Sequence, residues 1–196
     1  MSTARAQTWT AAGSERLSAD AAFERLVDAH YRRIFTLAHR MVGNEADAAD
    51  LTQEAFVRVY RALPRLRAEE AAGGWVRRIA TNLCLDHLRR RRTQPPPASL
   101  DARCREDTGT LAAWDIADPS GEPERLFWNR HSAEVLRRAV SSLPDDYRVV
   151  VVLHHMEEMR VEEIACLCGV PAGTIKSRLS RARRELRRKL LPYFDR

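Results

Sequence analysis

The chain has 196 residues, 44% of them hydrophobic and 31% charged, enough for one ordinary soluble domain or two small ones, each with its own core. A formal net charge of +6 and a pI of about 9.6 point to a polyanionic partner, either nucleic acid or an acidic membrane face. The densest apolar run, Val149 to Leu153, falls far short of the roughly 20 residues of a membrane span, so direct membrane insertion is excluded.

Taken in chain order, residues 1–19 are small and polar and read as a disordered arm ahead of Asp20, a candidate N-cap. Phe23, Leu26, Val27, Ile34, Leu37, Ala38 and Met41 then recur at helical spacing as far as Gly43, the expected stop. Asn44 caps a second helix with Ala48, Leu51, Thr52, Ala55, Phe56 and Val59 on its inner side, ending before Pro64. After a loop that closes at Gly73-Gly74, a third helix from Trp75 turns Trp75, Val76, Ile79, Ala80, Leu83 and Leu88 inward and ends in Arg89 to Arg92. Its other side carries Arg78, Asn82, Asp86 and Arg89.

Residues 93–124 change character, with five prolines, little apolar period and an excess of acidic over basic side chains, and read as a flexible acidic linker. Helical periodicity resumes with Leu126, Phe127, Val135, Leu136, Ala139, Val140 and Leu143. Leu143-Pro144 breaks it ahead of a helix starting at Asp145 or Asp146. "VVVVL" is too short for periodicity to separate strand from helix, and its surroundings favour helix.

The C-terminal stretch carries the sharpest signal. Ala165, Gly169 and Ile175 stand four and then six residues apart, the spacing of a helix-turn-helix: a small residue for close packing, a glycine for the turn and an apolar anchor on the second helix. Ile175, Leu179, Ala182, Leu186 and Leu190 form one stripe of that second helix. The opposite face then holds Gly173, Ser177, Arg181, Arg184 and Arg188, flanked by Thr174, Lys176, Arg178 and Ser180. Short polar residues at the helix start allow close approach to base edges, and the arginines suit guanine or phosphate.

The stretches "DAADLTQEAFVRVYRAL", "WVRRIATNLCLDHLRRRR", "LPDDYRVVVVL" and "VEEIACLCGVPAGTIKSRLSRARREL" together resemble the extracytoplasmic-function group of bacterial RNA polymerase sigma factors, within the sigma-70 family. The likeness spans nearly everything outside the arm and the linker. It implies an all-α chain of two small helical domains, a region 2-like domain over 20–92 and a region 4-like helix-turn-helix domain over 125–196, joined by the acidic linker. It further implies an alternative sigma factor that answers a stress or signal and directs promoter-specific initiation.

On this resemblance the second helix, through Asp50, Leu51, Gln53, Glu54 and Phe56, holds the clamp of core RNA polymerase. Arg77, Arg78, Asn82, Asp86 and Arg89 contact the melted minus-ten strand, Asn82 at the family's base-reading position. Gly173, Thr174, Lys176, Ser177, Arg178, Arg181 and Arg184 read the minus-thirty-five duplex, while that domain touches the polymerase flap. The linker mimics nascent RNA in a basic channel. An anti-sigma factor, often membrane-anchored in the family, is the expected inhibitor. Arg160 departs from the family's Ser or Thr at the start of the first helix of the motif, which leaves that cap less well satisfied.

No cofactor, metal or catalytic set is expected: no phosphate cradle, Ser/His/Asp set or convergent carboxylate pair emerges. Cys166 and Cys168 near His154 and His155 invite a zinc or redox site. On a regular helix, however, a Cys-x-Cys pair diverges and adjacent histidines do not share a face, so a packed Cys168 beside an exposed Cys166 is the expected arrangement. Cys84, Cys104, Cys166 and Cys168 lack the spacing of a disulfide framework, and no signal-peptide pattern is visible, so a reducing cytoplasm is the expected location. A free-standing helix-turn-helix regulator and a nucleic-acid-processing enzyme are the alternatives, the second lacking acidic metal ligands that converge.

Overall fold

The computed structural model describes the backbone of residues 3–63, 72–93 and 123–194, and side chains from 20–63, 73–93 and 131–193. Every regular element in these segments is helical: α1 Thr3–Val42, α2 Glu45–Ala62, α3 Ala72–Thr93, α4 Pro123–Ser141, α5 Asp145–Val151, α6 Val161–Cys168 and α7 Ala172–Phe194. Residues 64–71 of the expected loop before Trp75 and 94–122 of the expected linker 93–124 lie outside the described residues, while Thr93, Pro123 and Glu124 at the linker's ends are helical. By packing, the chain divides into two units, one of 1–39 with 46–87 and the other of 40–45 with 88–196, so the last turn of α3 belongs with the second.

In the first unit the helical stripes fall where their spacing puts them. Ile34, Leu37 and Ala38 of α1 are buried, as are all six inward residues of α2. Thr52 is tolerated there because its hydroxyl donates to the Ala48 carbonyl at 2.7 Å, within its own helix. Val76, Ala80 and Leu83 of α3 are buried, whereas Trp75 and Ile79 are only half-buried. Two helix starts differ from expectation. α1 is helical from Thr3, ahead of the supposed cap Asp20, in a segment whose alanines at 4, 6, 11 and 12 favour helix. α3 begins at Ala72, taking Gly73 and Gly74 into a first turn whose N–H groups have no intrahelical partner to lose.

An aromatic cluster joins α1 to α2. Phe23 meets Phe56 and Tyr60 edge-on at 6.4 and 5.0 Å, and Tyr31 stacks on Phe56 at 5.9 Å. Phe56 is core, as expected, and Tyr60 is 48% exposed, its hydroxyl donating to Asp20 Oδ1 at 3.0 Å. Its ring closes the rim of the cluster.

The second unit is built around α7. Ile175, Leu179 and Ala182 are buried against α4, α5 and α6, together with Val135, Ala139, Val140, Leu143, Ile164 and all of Val149 to Leu153. The valine run is therefore helix buried on every side, which explains why it showed no amphipathic period. Pro144 stands before α5, and its carbonyl accepts from Tyr147 and Arg148 N–H at 2.9 Å. Asp145 and Asp146 occupy the first turn, favoured by the positive end of the helix dipole.

After Val151 the helix widens over Val152–Met156, where Glu157 N–H reaches back five residues to the Val152 carbonyl at 3.1 Å. The wider turn reduces the rotation per residue, and His154 and His155 meet edge to face at 4.8 Å. Adjacent histidines thus do come together here, contrary to the expectation for a regular helix. His154 Nδ1 lies 2.9 Å from the Met159 carbonyl, and among the described residues no three metal-ligating side chains converge.

The cysteines differ by burial. Cys84 is fully buried and its thiol is pushed up to about 12 by the loss of solvation, whereas Cys166 is exposed. Cys168 is partly covered, and burial raises it too. With the native protein at pH 8, brief treatment with iodoacetamide is expected to label Cys166 and to spare Cys84 until denaturant is added. Peptide mapping reads the outcome, and early labelling of Cys84 would show that α3 does not pack as described.

Candidate nucleic-acid interfaces

The helix-turn-helix is formed by α6 and α7. Gly169 ends α6 in the left-handed region at φ 68°, which a residue with a Cβ adopts only with strain. The amides of Gly169 and Val170 donate to the Cys166 and Ala165 carbonyls at 3.3 and 3.1 Å, the paired bonds of a glycine-closed helix end. Pro171 then starts α7 by accepting Thr174 N–H at 2.9 Å. At the start of α6, the Arg160 guanidinium has no acceptor to offer the first turn. Half of the cap survives nonetheless: Arg160 N–H donates to Glu163 Oε2 at 2.8 Å.

With Ile175, Leu179 and Ala182 turned into the core, the opposite face of α7 is set by helix geometry. Gly173, Lys176, Ser177, Arg181 and Arg184 are exposed on it, and Thr174 is half-covered. The Ser177 hydroxyl donates to the Thr174 carbonyl at 2.9 Å, which leaves its lone pairs outward. Arg178 is less free than expected, because its Nη2 donates to Asp146 Oδ2 at 3.0 Å.

On α3, Arg78, Asn82 and Asp86 are exposed and Arg77 is half-covered. Spaced by four, the first three follow one side of the helix, while Val76, Ala80 and Leu83 occupy the other. Arg89 continues this side but donates through Nη2 to the carbonyls of Leu167 and Cys168 at 3.3 and 3.1 Å. On α2, Asp50, Gln53 and Glu54 are exposed, and Glu54 accepts from Arg58 Nε at 2.8 Å. Leu51 and Phe56 are 8% and 5% exposed and belong to the core. Of the five α2 residues singled out, three thus present a surface and two position the helix that carries it.

Sequence reasoning missed Arg148. It is 5% exposed, and its guanidinium donates to the carbonyls of Met41 at 2.9 Å and of Ser141 and Leu143 at 3.1 Å, and also to Asp145. Burial lowers its basicity and Asp145 opposes that shift. Within "DDYRVVVVL" the only signal was a lone arginine at the edge of a wholly apolar run.

Two family descriptions match the chain, Sigma-70 region 2 over residues 26–94 and Sigma-70, region 4 over 133–186. The ECF RNA polymerase sigma factor SigW of Bacillus subtilis is 33% identical over 169 residues, covering 86% of this chain and 89% of its own. The ECF RNA polymerase sigma-E factor of Escherichia coli K12 is 32% identical over 175 residues, covering 89% and 90%. In fold, the chain is similar to the sigma factor RpoE of Bartonella quintana, solved with the anti-sigma factor NepR. The TM-score is 0.54 at 21% identity, over 89% of this chain and 98% of that one. With two helical units bearing exposed basic faces and both sigma-70 regions in order, the chain belongs to the extracytoplasmic-function sigma factors of the sigma-70 family, the non-enzymatic subunits that bind core RNA polymerase and direct promoter-specific initiation.

Proposed function

We propose that promoter recognition is divided between the outward sides of α3 and α7. The α7 face, through Gly173, Thr174, Lys176, Ser177, Arg178, Arg181 and Arg184, enters the major groove of the minus-thirty-five element. Arg77, Arg78, Asn82, Asp86 and Arg89 of α3 line the path of the melted minus-ten strand, and Asn82 hydrogen-bonds a base that has left the stack. The observation that carries this reading is the opposition on α7, where the exposed Gly173, Ser177, Arg181 and Arg184 lie across the helix from the buried Ile175, Leu179 and Ala182.

Asp50, Gln53 and Glu54 form the proposed contact with the polymerase clamp, Leu51 and Phe56 fixing the helix beneath them, and the C-terminal unit meets the flap. An anti-sigma factor is the proposed inhibitor, a reading supported by the NepR-bound relative in fold. No helix among the described residues is long and apolar enough to cross a membrane. A cytoplasmic location, shared with RNA polymerase, and the role of an alternative factor that answers a stress or other signal belong to the same proposal.

Transcription from genomic DNA fragments by purified core polymerase tests the reading. Addition of this protein is expected to produce transcripts from a discrete set of start sites. Tight duplex binding by the chain alone, with no start site that depends on it, would instead identify a free-standing regulator.

A further inference from the structure

Gly73 and Gly74 are neighbours in the first turn of α3, but their surroundings differ. A Cβ at position 74 would meet no atom within 4 Å, whereas one at position 73 would lie 2.7 Å from His30 Cε1 and 3.0 Å from His30 Nε2. The half-buried imidazole of His30, on α1, therefore fills the place that a side chain at 73 would take. Backbone conformation is not the reason for glycine here, since the described glycines with positive φ are Gly43 and Gly169. The ring is. Further along α3, Val76, Ala80 and Leu83 are buried and His87 Nε2 lies 3.1 Å from Asp47 Oδ2 of α2. The body and the far end of the helix are thus held by those contacts, and its first turn by His30.

We infer that His30 is a positioning residue for promoter opening: by packing directly on the backbone of Gly73 it seats the start of α3, and so fixes where Arg77, Arg78 and Asn82 meet the melted strand. The inference deepens the proposed minus-ten role of α3 and rests on it. Arg77 follows Gly73 by a single turn, and Asn82 stands about 14 Å beyond it along the axis. A methyl group at 73 would have to part from the imidazole by about 1 Å to reach ordinary carbon contact. A shift of that size at the root of a contact helix is large compared with the tolerance of a hydrogen bond to a captured base. An imidazole suits this seat because its ring is flat and stiff, with only two side-chain torsions to set.

Alanine at 73 and at 74 adds the same methyl group to the same turn and is the better helix former at both, so the pair separates crowding of His30 from any other effect of losing a glycine. On a promoter from which this protein and core polymerase give a transcript, Gly73→Ala is expected to slow open-complex formation about fivefold, with core binding within about twofold of the parent. Gly74→Ala is expected to leave both within about twofold. Added to His30→Ala, where the ring is gone, Gly73→Ala is expected to cost less than about twofold in opening. A loss of equal size with and without the ring, or an equal loss from Gly74→Ala, overturns the role of His30. Should Gly73→Ala not fold, His30→Ala alone decides: opening is expected to fall about threefold with core binding within about twofold, and equal losses in the two, or no loss of opening, overturn the inference. Asn82→Ala keeps the two readings apart. Normal opening by Asn82→Ala removes the minus-ten role of α3 and the inference with it, whereas slow opening by Asn82→Ala beside normal opening by Gly73→Ala overturns the role of His30 alone.

Discussion

Replacing Arg148 with methionine is expected to destabilise the second unit by about 3 kcal/mol, although the new side chain is apolar and of similar length. The guanidinium is the donor for carbonyls at two helix ends, Met41 at the close of α1 and Ser141 with Leu143 at the close of α4. Each lost bond to a buried carbonyl costs about 1 kcal/mol, and the stranded acceptors cannot be rehydrated inside the packed core. Relief of the buried charge works in the other direction, since burial already lowers the basicity of Arg148, and this offsets a part of the loss. Asp145 keeps 26% of its side chain in water and so tolerates losing its partner.

Lysine at the same position is a useful comparison. It retains the charge but is more strongly hydrated and lacks the planar fork that reaches several carbonyls, so Arg148→Lys is expected to cost nearly as much as Arg148→Met. Urea unfolding followed by amide exchange in α5 and α7 measures both. A lysine variant close to the parent would show that charge, and not the spread of donors, is what the site uses.

What could be read from the sequence follows from periodicity. All six inward positions of α2 and the Ile175, Leu179 and Ala182 stripe of α7 were legible because a helix with one wet side repeats its apolar residues on the helical period. Gly169 was legible because only a left-handed turn asks for glycine at that point of the motif. Arg148 was not legible, because apart from Asp145 its partners are backbone carbonyls, and backbone acceptors leave no trace in residue identity. The same limit hid the bonds of Arg89 to Leu167 and Cys168. The contact of His154 with His155 was missed for another reason: it depends on a widened turn, which spacing rules for a regular helix do not contain. Leu51 and Phe56 show that a family motif mixes surface and support. The motif marks a helix as functional, and burial then decides which of its residues reach a partner.

Asn82→Ala separates the proposed minus-ten role from a merely structural one. Asn82 is exposed on α3, between Arg78 and Asp86 on the same side, and alanine is the better helix former, so the substitution leaves the fold intact or slightly more stable. Binding to core polymerase is expected to stay within about twofold, because losing one exposed side chain away from the contact surface on α2 has little effect there. Open-complex formation on duplex promoters is expected to fall about 10- to 100-fold. That range corresponds to about 1–3 kcal/mol, the worth of a specific hydrogen-bonded contact to one base, which would otherwise help to offset the few kcal/mol needed to unstack it. Permanganate reactivity of thymines in the melted region measures opening, and competition for core measures assembly. Promoters opened in advance by a mismatched bubble are expected to recover only part of the loss, since Asn82 holds the extruded base as well as rewarding its extrusion. Equal losses in core binding and opening would place Asn82 in the polymerase contact and remove the base-capture role from α3.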